Sequence, residues 1–395
     1  MSSRSMTRRE RLTATFQGQP VDRPAVCFYE INGLDENPLD DSPFNIFSDP
    51  SWWPLLQLAR EKSDRIVLRG VAFKENLPDP VEPFAVVTTE QAGDSLYTTK
   101  TITVAGRTLV SRTRRDADIN TIWTLDHFIK SVDDLQALLQ LPMETLMGTA
   151  DPQPILAAEQ SLGDTGVVMI DTPDPLCLAA GLFSMELFTV IALTEQALLH
   201  RLLEKLAAFL YPLTDAIAAQ LPGRPWRIYG PEYAAPPFLP PQLFREYVVR
   251  YDRPLIDAIH AGNGFARLHA HGRLREILAD ILATGCDGLD PIEPPPQGDM
   301  TLHEVKRIAG RQMVLFGNLE VSDIENLPTA LFRKKVDAAL REGADGEGRG
   351  FVLMPSACPI GRKLKTRSLE NYRCMVERAE AFAGTTAAVE KSSCF

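Results

Sequence analysis

The stretch GFARLHAHGRLREILADILATG, residues 264–285, decides how this chain folds. Its first half alternates: Phe265, Arg267, His269 and His271 share one face of a strand, while Ala266, Leu268 and Ala270 share the other. Its second half changes to helical spacing and is closed by a glycine. A strand with a small apolar outer face, followed at once by an amphipathic helix, is the repeating unit of a parallel α/β sheet.

Working outward, the same unit recurs. Short β-rich runs stand at 24–31, 65–72, 166–173, 226–232, 288–293, 312–320 and 350–358, making eight with 264–272, and most precede a helical pattern such as TLHEVKRIAG. Eight alternations predict a closed sheet, so the fold class is α/β, a (βα)8 TIM barrel. Between the second and third strands, EPFAVVTTEQAGDSLYTTKTITVAGRTLVSRTRRD alternates apolar and polar residues around Gly93 and Gly106. This predicts an inserted β-hairpin or meander over about 80–116. The chain reads as one domain over 1–395, with the barrel over about 20–383 and a frayed tail over 384–395.

With 395 residues, 45% of them apolar, the chain has ample material for a large core, and its net charge of −11 argues against nucleic acid or an anionic membrane as partner. The greasiest run, PLCLAAGLFSMELFTVIALTE, is broken by Ser184 and Glu186 and predicts buried helix rather than a membrane span. The N-terminus lacks the apolar stretch of a secretory signal. Six scattered cysteines without a C-x-x-C pair predict reduced thiols in a cytoplasmic protein.

In such a barrel the loops after the strands form the reacting face, which makes suspects of Glu30, Asp171, Glu232, His269, His271, Asp290, Glu293, Asn318, Glu320 and Cys358. His269 and His271, about 7 Å apart at their Cα atoms, would point to the barrel mouth and can converge on one ion. Cys358, ending the last strand, is placed to add a thiolate, and two imidazoles with a thiolate suit zinc. Hydrogen-bonded barrel histidines and an inert buried cysteine fit the same spacing. Asp299, with Thr301, is expected to cap the helix that follows it. Trp52, Trp53, Phe44 and Phe47 read either as an aromatic lid or as packing of the first helix.

TRRERLTATFQGQPVDRPAV (7–26), PPFLPPQLFREYVVRYDRPLIDAIHAGN (236–263), the long segment 268–306, FGNLE (316–320) and SACPIGRKLKTRSLENYRCMVE (356–377) resemble the uroporphyrinogen decarboxylase superfamily. The resemblance runs from about residue 6 to 383 and implies the same barrel. It spans two chemistries. One branch decarboxylates a tetrapyrrole and grips its carboxylates with arginines after the first strand. Here no lysine or arginine lies between Arg23 and Arg60, whereas Glu30, Asp35, Glu36, Asp40, Asp41 and Asp49 do, and an acidic lip repels a polycarboxylate. The other branch comprises corrinoid (cobalamin)-dependent zinc methyltransferases, whose His-x-Cys-Gly and distal cysteine are matched by His269, His271, Gly272 and Cys358, with His271 replacing a cysteine.

The resemblance therefore implies a Zn2+ methyltransferase with metal ligands His269, His271 and Cys358. It would move a methyl group between a small, perhaps methoxylated, donor and a corrinoid brought by a partner protein or taken from solution. An imidazole in place of a thiolate leaves the metal more Lewis-acidic, which favours the demethylating direction. Glu232 is expected as a fourth ligand or proton donor, or in a salt bridge to Arg227 or Arg267. Asp290 and Glu293 are expected to orient the histidines or act in catalysis, and Asn318 to orient them or contact the cofactor. A homodimer is a family expectation. The alternatives are a decarboxylase or lyase on an aromatic or small organic acid, using Arg267, Glu232 and His269, and a non-catalytic binding barrel.

Overall fold

The computed structural model describes residues 5–75, 79–146, 148–344 and 346–392. Among these residues twelve strands form two sheets. In chain order they are β1 (Ala25–Val26), β2 (Arg65–Gly70), β3 (Val86–Ala92), β4 (Ser95–Val104), β5 (Arg107–Asp116), β6 (Ile122–Asp126), β7 (Gly166–Pro173), β8 (Pro225–Tyr229), β9 (Phe265–His269), β10 (Gly288–Asp290), β11 (Val314–Leu319) and β12 (Phe351–Pro355). The eight runs singled out in the sequence form one curled parallel sheet, ordered β1-β12-β11-β10-β9-β8-β7-β2.

Asp64 brings the two edges of this sheet together. Its backbone N–H donates to the Val26 carbonyl (2.6 Å) and its carboxylate accepts from the Val26 N–H (2.8 Å). That carboxylate, wholly buried, is neutralised by Arg11 (2.5 Å) and Arg23 (2.7 Å). Arg11 belongs to the helix Arg8–Phe16, which starts in a Thr7/Glu10 capping box and ends by pushing Phe16 into the sheet's interior. There Phe16 stacks on Phe265 (centroids 4.8 Å apart) beside Phe316, Val352, Met169 and Met354. Ala266 and Leu268 face the opposite way, into the larger core between sheet and helices. The strand faces are those the alternation predicts.

Between β2 and β7 lies an antiparallel sheet, β3-β4-β5-β6, four strands long and extending to Asp126. Ala105 and Gly106, both at positive φ (50° and 74°), turn the chain from β4 to β5 in two residues, the geometry that matches strand twist. Buried Ile102 and Leu109 fix this sheet to the body, and backbone bonds join its last connection to the segment after β12: Asn120 N–H to Ile360 O (2.7 Å) and Arg362 N–H to Asp118 O (2.8 Å).

The apolar run after β7 is two short helices, Pro175–Ala180 and Met185–Thr194, the second capped by Ser184. Among the described residues no helix is long and apolar enough to cross a membrane. The helix Thr366–Ser392 runs into the stretch 384–395 expected to fray. Trp52 is buried, with Phe47 edge-on at 5.1 Å and its indole N–H on the Arg362 carbonyl, and Phe44 is buried; Trp53 faces solvent. Phe44, Phe47 and Trp52 are thus packing rather than a lid, and Trp53 takes no part in it.

Candidate active site

Register across the sheet builds the site. Asp171, Arg227 and Arg267 stand level on β7, β8 and β9, and two residues on, Tyr229, His269 and Asp290 stand level on β8, β9 and β10. Two guanidiniums on the inner face each need an anion. Arg227 takes Asp171 in a two-pronged pair (2.7 and 2.9 Å). Opposite Arg267 is Gly288, whose missing side chain leaves room for the Phe265 and Phe316 rings; Arg267 reaches Asp290, where one nitrogen donates at 2.6 Å and Nε pairs with the other oxygen.

The same Asp290 oxygen accepts from His269 Nδ1 at 2.7 Å. Burial would raise this carboxyl, but the charges of Arg267 and His269 outweigh burial and hold it well below the usual carboxylate range. An ionised carboxylate only accepts, so the proton of this bond sits on Nδ1. One turn of the backbone further, His271 repeats the arrangement: Nδ1 donates to Glu293 at 2.8 Å, and the other Glu293 oxygen accepts from the Gly272 N–H at 2.8 Å. Burial opposes charge on both partners. The ion pair prevails, lowering Glu293 and, helped by Glu232 and Asp290, raising His271. The two rings meet edge to face, centroids 4.6 Å apart. Among the described residues neither Nε2 has a hydrogen-bond partner, so each ring keeps one nitrogen for other work. Tyr29, at φ +57°, places its ring 6.1 Å from His269 and its hydroxyl 3.1 Å from Arg227.

Asp290 and Glu293 are thus the hydrogen-bond partners of the two histidines. Glu320, also at this end, is buried; one carboxylate oxygen accepts from Ser356 and the other is unpartnered. Asn318 is half-buried at the end of β11 and bonds to neither histidine. Glu232 accepts from the Gly230 N–H at 3.1 Å; Arg227 and Arg267, its expected partners, are taken by Asp171 and Asp290. Glu30 is half-exposed and lies 3.5 Å from Arg227. Of the acidic lip, Asp35 pairs with Arg69 of β2 and Glu36 is buried on the Asn32 and Gly33 N–H groups. Asp299 does not cap its own helix. Thr301 does, and Asp299 accepts from the N–H groups of Leu274 and Arg275.

Cys358 is not gathered with the pair. Its thiol faces the Phe28 carbonyl at 3.9 Å, and burial, then the charge of Glu30, pushes its pKa well above the ordinary value. The backbone bonds from 118–120 hold its segment toward β1 and the inserted sheet. Two carboxylate-steered imidazoles suit zinc, but the thiol does not complete the set here. Among the described residues no three His, Cys, Asp or Glu side chains are grouped to hold a metal ion.

Alternation alone did not single out a second acidic cluster. Asp174 and Asp252 are both fully buried, and one oxygen of Asp174 and both of Asp252 have no hydrogen-bond partner. The remaining Asp174 oxygen caps the helix Pro175–Ala180 through Cys177 N–H. Only glycine fits opposite: a Cβ on Gly230, at φ +133°, would lie 2.0 Å from that oxygen. Burial is the main cause that raises both carboxyls well above the ordinary value, and Asp252's charge adds to it at Asp174.

The fold resembles a methyltransferase from Methanosarcina mazei over 96% of this chain and 99% of that one, with TM-score 0.59 and 18% identity. A D-psicose 3-epimerase from Clostridium cellulolyticum H10 matches 59% of this chain and 86% of its own at TM-score 0.35 and 10% identity. No curated protein matches the sequence. The family model described as uroporphyrinogen decarboxylase (URO-D) matches residues 172–382, more than half of the chain and all of the strands that carry Asp171's neighbours, the histidines and their carboxylates. The chain belongs to the uroporphyrinogen decarboxylase family.

Proposed function

We propose that this chain is a methyltransferase-like enzyme of its family, with the His269–His271 pair as reacting centre. The observation that carries the reading is the pair of carboxylate-held imidazoles at one strand end, each Nδ1 occupied and each Nε2 bare. This is the outer-shell arrangement that prepares histidines to bind a metal. The likeness in fold to the Methanosarcina mazei methyltransferase, over nearly the full length of both chains, supports the same reading.

Zinc is the proposed metal, the corrinoid is proposed to come from a partner protein or from solution, and the methyl donor is proposed to be a small molecule with an ether-type oxygen. Bound zinc would supply a Lewis acid. The chain itself contributes the fixed tautomers, the Glu293-held turn at Gly272 and a wall formed by Tyr29. The lyase alternative loses its anion-gripping group, because Arg267 is 2% exposed and committed to Asp290.

The test is methyl transfer to cob(I)alamin from a panel of methyl ethers, methylamines and methyl thioethers, and the reverse transfer from methylcobalamin to thiols. Turnover with at least one class, lost in H269A and H271A, is expected. Silence across the panel, or activity that both variants retain, refutes the reading. C358S decides the ligand question: zinc lost with it means that the thiol joins the histidines.

A further inference from the structure

A cavity of about 270 Å³ lies between the inserted sheet and the helix Pro175–Ala180. We infer that it is a binding site for a small uncharged molecule, a single ring bearing hydroxyl or ether oxygens. Its two long walls differ in chemistry. One is apolar, formed by Val81, Phe128, Leu178 and Leu182. The other is the inner face of the antiparallel sheet, where Thr98, Thr113 and Thr124 stand level on β4, β5 and β6, register partners in one row. Among the described residues none of these three hydroxyls has a hydrogen-bond partner, so a row of donors and acceptors faces an apolar surface.

Charge gives the rest of the specificity. Among the described lining residues the one cation, Lys100, is paired with Glu82 at 2.8 Å, and the other carboxylate, Asp79, accepts from the N–H groups of Val81 and Glu82. An ionic ligand would find no unpaired counter-charge and would lose its hydration. A neutral ring loses little and gains the apolar wall, and its oxygens find the threonines. The volume lies just under the roughly 300 Å³ at which small-molecule sites begin, which limits the occupant to about one ring.

The site is separate from the histidines. The helix Pro175–Ala180 stands between, with Cys177 lining the cavity and packing beside Gly230. It therefore stands or falls independently of the methyltransferase reading.

Resorcinol, a neutral dihydroxybenzene with no methyl group to donate, is the probe, with benzoate as its charged counterpart, each titrated calorimetrically into the full chain. Resorcinol is expected to saturate one site. T113V should weaken it by about 3- to 10-fold, the loss of one hydrogen bond. L178W, which fills the apolar side, should abolish binding, H271A should leave it unchanged, and benzoate should not compete. T113V alters one hydroxyl of a half-buried lining residue and keeps the test valid if L178W fails to fold. The inference is overturned if resorcinol does not saturate, if T113V binds it as tightly as the parent chain, if H271A removes it, or if benzoate binds equally well.

Discussion

Two clusters of buried ionisable groups sit at the same end of the sheet and are satisfied in opposite ways. At β9 and β10 each charge has a counter-charge: Arg267 and His269 share Asp290, and His271 has Glu293. At the start of the helix Pro175–Ala180, Asp174 and Asp252 have no cation, and three of their four oxygens are unpartnered. Two bare carboxylates in a low-dielectric interior are too costly, so this pair holds protons, whereas Asp290 stays ionised. The first cluster fixes the direction of two rings through charge. The second fixes a helix start through neutrality. Electrostatic order at the mouth is therefore local to the histidines.

Removing charge should separate the clusters. The largest effect belongs to D290N, which leaves Arg267 buried without its anion and His269 without its anchor; a loss of about 3–5 kcal/mol is expected in urea unfolding. A loss under 1 kcal/mol would mean that the Arg267–Asp290–His269 group is not the constraint described. E293Q comes next, at about 1.5 kcal/mol, because His271 is partly exposed and one of the two bonds survives. Its metal affinity should fall about 10- to 100-fold, as removal of such outer partners does. Zinc titration of the variant checks this.

D252N should be the mildest at neutral pH, within about 1 kcal/mol of the parent chain, since an amide replaces an acid that is already neutral. Its signature is in the pH dependence. The folded carboxyls lie above their unfolded value, so the folded state binds more protons. The pair's contribution is fully present below the ordinary carboxyl range and is lost as pH rises through the raised value. Urea midpoints measured across pH should therefore fall with rising pH more steeply for the parent chain than for D252N. Equal slopes would show that the pair does not titrate as described.

Much of the fold was legible because strands write a period of two and helices a period of 3.6. Alternation around His269 gave the inner face, and eight recurrences gave the parallel sheet. The inserted sheet was legible through Gly93 and Gly106 but appeared shorter than it is, since ADINTI interrupts the alternation before β6. At the site, the reach of Asp290 and Glu293 was visible from their strand ends. Asp171 with Arg227 was not, because that pairing depends on register between β7 and β8, which a single sequence does not carry. The placing of Cys358 was not legible for a related reason: its position at a strand end is local, whereas the backbone bonds between residues 118–120 and 360–362, just beyond it, come from the insertion. Asp174 and Asp252 are 78 positions apart, and only packing brings them together.

The account turns on the two imidazoles offering their bare nitrogens to a common occupant. Zinc bound per chain, measured by elemental analysis on dialysed parent protein, H269A and H271A, tests this most directly. The account predicts about one zinc per parent chain and none in either folded variant. A folded parent chain that takes up no zinc, or zinc that both substitutions leave in place, would contradict it.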